Sequence, residues 1–83
     1  MEIFIVEVNS VRRGDETDYD TKAYSTEEKA KSALKELVDD NRDLCKKDGW
    51  IISSDDDDYF LACNEDDYLY NHLEIAVRCL EVI

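Results

Sequence analysis

Two runs of acidic residues carry most of the chemical potential of this chain. One is Asp55-Asp56-Asp57-Asp58; the other is Glu65-Asp66-Asp67. Clustered carboxylates can hold a hard cation, work as an acid–base pair, or attract a basic partner. For a cation, Asp55, Asp57 and Asp58 are the candidate oxygen donors. A calcium loop of the EF-hand type needs a glycine at its sixth position and a glutamate at its twelfth. Counted from Asp55, those positions are Phe60 and Asp66. The pattern therefore predicts weak, unspecific divalent binding, and no metal ligand is assigned. Acid–base work needs one carboxyl kept protonated by burial. With 22 acids in 83 residues some must be neighbours, so proximity alone says little.

Other catalytic groups are scarce. His72 is the one histidine, and it would have to serve as base in any Ser/His or Cys/His arrangement. It lies in a segment that reads as strand, where an exposed or hydrogen-bonded histidine is the simpler expectation. Cys45, Cys63 and Cys79 are widely separated and odd in number, with no CxxC pair. They read as small apolar residues in a reducing compartment. Only Gly14 and Gly49 are present, which excludes a glycine-rich phosphate loop. No catalytic residue and no cofactor is assigned, and the chain reads as a non-enzyme.

Attraction of a partner remains. Aromatics follow each acidic run: Tyr59 and Phe60 after the first, Tyr68 and Tyr70 after the second. Tyrosine offers large contact area, and surrounding acids steer a basic partner. The candidate binding residues are thus Asp55, Asp56, Asp57, Asp58 and Tyr59, with Glu65, Asp66, Asp67, Tyr68 and Tyr70. A sharper form of the same reading is nucleic-acid mimicry, in which rows of carboxylates occupy a groove built for phosphates. The simplest alternative is a pair of solvated turns that discourage edge-to-edge aggregation.

The net charge of −12 excludes other partners. Direct binding to a nucleic-acid backbone requires clustered Lys and Arg. An anionic membrane surface is disfavoured for the same reason. No apolar stretch is long enough to span a bilayer, and Met1-Glu2-Ile3-Phe4 lacks the positive start of a signal peptide. The expectation is a cytoplasmic protein. At 43% hydrophobic residues the chain should fold, as one domain over residues 1–83.

The elements that must position these groups follow from periodicity. Residues 2–8 read as a central strand, apolar on both faces. Residues 19–24 read as a second strand in a hairpin with the first. Ser25-Thr26-Glu27-Glu28 fits a capping box with Ser25 as the cap. Ala30, Ala33, Leu34, Leu37, Val38, Leu44 and Cys45 then form one apolar stripe, predicting a helix over 26–47. Gly49 ends it. Short strands are expected at 50–53 and 59–63, with the aspartates as the turn between them. An extended segment over 68–82 would place Leu73, Ile75, Val77 and Cys79 on one face, with a bulge or strand end near Leu80. A helix over 73–83 is the alternative.

The order is ββαβββ: an α+β domain, mostly antiparallel, with one long helix on one sheet face. The other face would be left with several of Phe4, Val6, Tyr19, Tyr24, Tyr59, Tyr68 and Tyr70, depending on register. Such a face, or an edge strand, suggests a homodimer.

The segment Ala23-Tyr24-Ser25-Thr26-Glu27-Glu28-Lys29-Ala30, after a strand of the Ile3-Phe4-Ile5-Val6 type, resembles the helix entry of small bacterial and phage proteins without an assigned activity. The likeness covers roughly residues 2–50 and implies strand plus capped helix. In size and acidity the chain is also similar in type to phage-encoded anti-restriction and anti-CRISPR proteins. The function expected is therefore non-catalytic binding of a basic protein, with a nucleic-acid-binding protein as the sharper form of that expectation. The alternatives are a divalent-metal module through Asp55–Asp58 and a structural or dimeric domain.

Overall fold

A five-stranded antiparallel sheet carries one helix on one of its faces. The computed structural model describes residues 1–11, 18–64 and 71–81. In chain order the elements are β1 (Glu2–Val11), β2 (Asp18–Tyr24), α1 (Glu27–Lys47), β3 (Ile51–Asp55), β4 (Tyr59–Cys63) and β5 (His72–Glu81). Across the sheet the order is β2-β1-β5-β4-β3. The ββαβββ reading holds, and residues 73–81, where a helix is the alternative, are strand.

β1 is interior, flanked by β2 and β5, which explains its apolar residues on both faces. The register settles which face is which. Phe4 lies opposite Tyr24 and Cys79, Val6 opposite Lys22 and Val77, Val8 opposite Asp20 and Ile75. These turn to the helix. Phe4, Val6 and Tyr24, counted among the residues available to the uncovered face, are therefore on the covered one. Leu73, Ile75, Val77 and Cys79 share that face as predicted. Beneath α1, Ala30, Leu34, Val38 and Cys45 pack with Phe60, Ala62, Leu73 and Ile75. Burial of each larger side chain here stabilises the fold by about 1.5–3 kcal/mol.

The helix begins one residue later than a Ser25 cap requires. Thr26 is extended, with φ −134° and ψ 151°, and its hydroxyl accepts the Lys29 N–H at 3.2 Å. β2 runs to Tyr24, held opposite Phe4, so the chain needs two residues to turn from sheet to helix. At the other end the Gly49 N–H donates to Lys46 O at 3.1 Å, and the Trp50 N–H donates to Cys45 O at 2.9 Å. Gly49 has φ +75°, the left-handed geometry that this paired closure demands. Trp50 and Cys45 are both buried, which supplies the apolar contact that accompanies it.

Of the two expectations near Leu80, the strand end is found and the bulge is not: β5 ends at Glu81, and β1 and β5 stay in register from Val11–His72 to Glu2–Glu81. The bulge is in β3. Ile52 lies opposite Ala62, but Ser54 lies opposite Leu61 and Asp55 opposite Phe60. One extra residue at Ser53–Ser54 changes which face the end of the strand presents.

Candidate functional site

The bulge decides where the aspartate run goes. Without it, strand alternation would put Ser54 on the helix side and Asp55 on the far side. With it, Asp55 pairs with Phe60, a residue buried under the helix, and turns toward α1. There Arg42 donates two hydrogen bonds to its carboxylate, at 2.6 and 3.1 Å. The guanidinium holds the Asp55 carboxyl below the usual carboxylate range. Three turns earlier on the helix, Lys31 donates to Asp57 at 3.2 Å and pairs with Glu27 at 2.7 Å. Between the two bridges runs a cleft of about 640 Å³, floored by Leu34 and Val38.

Alternate members of the run are therefore spoken for. Asp55 and Asp57 are neutralised by helix cations. Asp56 and Asp58 are exposed and have no side-chain hydrogen bond or ion pair among the described residues. Tyr59 does not join them. It projects from the opposite face, where its hydroxyl donates to Glu74 at 2.6 Å. Acid and aromatic, adjacent in sequence, sit on different sides of the sheet. Glu65, Asp66, Asp67, Tyr68 and Tyr70 lie outside the described residues.

A second groove, unforeseen in the sequence, separates β2 from α1. Its floor is Val6, Val8, Tyr24, Ala33 and Leu37, and its volume is about 290 Å³. Asp20 on β2 faces Glu36 and Asp40 on α1 across it. None of these three carboxylates has an ion pair or hydrogen bond among the described residues. Lys22, on the same strand, stands 5.9 Å from the Tyr24 ring centre. A signal did exist: Asp20 alternates with Lys22 and Tyr24, while Glu36 and Asp40 flank Leu37 at helical spacing. It required the β1–β2 register to be read.

The metal candidates do not converge: Asp55 turns to Arg42 and Asp57 to Lys31. Among the described residues, no group of three or more His, Cys, Asp or Glu is placed to hold an ion. Cys63 lies directly opposite His72 in the β4–β5 ladder, on the flat face away from the helix. All three cysteines are free. No helix among the described residues is long and apolar enough to cross a membrane. Compared with family models, with curated proteins and with solved structures, the chain matches none.

Proposed function

We propose that this chain is a non-catalytic acidic binding domain that takes a basic segment of a partner protein into the groove between β2 and α1. The observation that carries this reading is the trio Asp20, Glu36 and Asp40, without an ion pair or hydrogen bond among the described residues, around an apolar floor. An arginine or lysine has a matching shape: an aliphatic stem for Val8, Ala33 and Leu37, and a cationic head for the carboxylates. Asp56, Asp58 and the overall charge of −12 add long-range attraction. A nucleic-acid-binding protein is one partner with such segments, and a cytoplasmic setting suits three free cysteines. The groove is favoured over a mimicking row of aspartates because Arg42 and Lys31 already neutralise two of the four.

The test uses a ten-residue peptide of alternating arginine and alanine, titrated into isotopically labelled protein. Shifts should centre on Tyr24, Ala33 and Leu37. A variant with Asp20→Asn, Glu36→Gln and Asp40→Asn should bind about tenfold more weakly, since each lost charge-assisted contact matters. The comparison variant, Asp43→Asn with Asp48→Asn and Asp56→Asn, removes equal charge elsewhere and should lose less than about threefold. Equal losses in both would reduce the binding to net charge and overturn the groove.

A further inference from the structure

Among the described residues, the face of the sheet away from α1 has no element above it. Ile3 and Ile5 of β1, Leu61 of β4, Leu80 of β5 and Ile51 of β3 project from it, and no other part of the described chain covers them. Leu80 is 49% exposed and Ile51 45%. Its charge is as telling as its apolar content. Among the described residues, the charged side chains on this face are Glu7, Glu74 and Arg78, and each is engaged within the face. Arg78 pairs with Glu7, and Glu74 accepts from Tyr59. The rest of the described chain holds fifteen acids against seven bases. Among its described residues, a strongly acidic protein has thus kept one sheet face nearly free of net charge.

We infer that this face binds a second copy of the chain, sheet against sheet. A basic partner is drawn to the carboxylates of the helix layer and its rims, and this face offers it little. Two copies of a −12 chain have the opposite need: they repel unless they meet where charge is absent or already paired. Depletion of charge around an apolar centre is the composition of a dimer interface. The area suffices. Five strands at about 4.8 Å spacing, with lengths of roughly 17–33 Å, give about 600 Å² per copy. Two copies then bury roughly 1,000–1,300 Å² of accessible surface, near the lower bound of specific interfaces. The dimer is accordingly concentration-dependent, with dissociation in the micromolar range or weaker.

Charge fixes an unusual sign. Salt screens the repulsion between the copies, so dimerisation strengthens with salt, whereas binding of a basic segment weakens. The inference is independent of the groove between β2 and α1, and the salt response separates the two.

Sedimentation equilibrium of the intact chain, from about 5 µM to 1 mM in 50 and 500 mM NaCl, tests it. The expected result is a monomer–dimer equilibrium shifted at least threefold toward dimer at the higher salt. Leu80→Asp should abolish it. Leu44→Asp, at a similarly exposed apolar residue on the helix (43% exposed), should leave it intact. Circular dichroism checks that both variants fold. As a second readout, alkylation of Cys63, on the sheet face, should slow as the protein is concentrated, while Cys79, on the helix side, should not change. A monomer at 1 mM in both salts, or a dimer lost with Leu44→Asp and kept with Leu80→Asp, overturns the inference. In either case the face would be left to a different protein.

Discussion

Arg42 and Asp55 meet through two parallel hydrogen bonds because a single extra residue in β3 turns the aspartate toward the helix. Thirteen residues apart in sequence, they tie the C-terminal third of α1 to the edge strand. Asp55 is 40% exposed and Arg42 31%, so solvent screens the pair, and a contribution of about 0.5–1 kcal/mol is appropriate.

The pair makes a pH-dependent prediction. The Asp55 pKa is lowered in the fold, by the Arg42 hydrogen bond above all. Its contribution is therefore fully present above the ordinary carboxylate range and is lost as pH falls through the lowered value. Chemical denaturation should find Asp55→Asn less stable than the parent at pH 7, and the gap should close in strong acid. Asp56→Asn, which breaks no such pair, should show no destabilisation at pH 7. A gap that persists unchanged in acid would mean that the pair contributes nothing through its charge.

The two ends of α1 give separable effects. Thr26→Ala should cost about 1 kcal/mol, because the Lys29 N–H loses its acceptor. Ser25→Ala should cost much less. Gly49→Ala should cost about 1–2 kcal/mol from the left-handed backbone alone, since nothing lies within 4 Å of an added methyl. Thermal unfolding of the three variants orders them, and a Ser25→Ala loss as large as that of Thr26→Ala would return the cap to Ser25.

Cysteine reactivity should not follow exposure. Cys79 is exposed, yet its thiol pKa is raised, first by partial desolvation and then by the Glu2 carboxylate 3.8 Å away. Thiolate is the reactive form, so alkylation of Cys79 at pH 8 should be slower than that of an unstructured peptide thiol. Glu2→Gln should accelerate it. Cys45 is fully buried and should react only on unfolding. A Cys79 rate indifferent to Glu2→Gln would remove the carboxylate from the account.

Periodic signals gave the elements correctly. The stripe from Ala30 to Cys45, Leu44 excepted, and the alternation of Leu73, Ile75 and Val77 each report burial on one side, and burial repeats with the period of the backbone; Cys79 shares that face but is exposed. What could not be read was anything decided by register. Tyr59 follows Asp58 directly, and only the pairing of Tyr59 with Ala76 shows that it leaves the acidic surface for the other face. The bulge at Ser53–Ser54 has no sequence mark beyond two small polar residues. The Asp20–Glu36–Asp40 groove joins positions sixteen and more residues apart, which no local pattern connects. The sequence placed the helix cap at Ser25 because two hydroxyls stood side by side and propensity does not choose between them.

The place of β5 between β1 and β4 has a consequence for how the molecule is made. β1 has as its central neighbour a strand far along the chain, with Glu2 paired to Glu81 and the 60 residues between Val11 and His72 to be gathered before that ladder closes. Contacts of such long sequence separation slow folding. During translation the β1–β2 hairpin and the helix can assemble early, but one edge of β1 waits, unpaired, for residues 72–81 to emerge. The acids of the intervening chain repel those of another nascent copy, which disfavours edge-to-edge pairing while that edge waits.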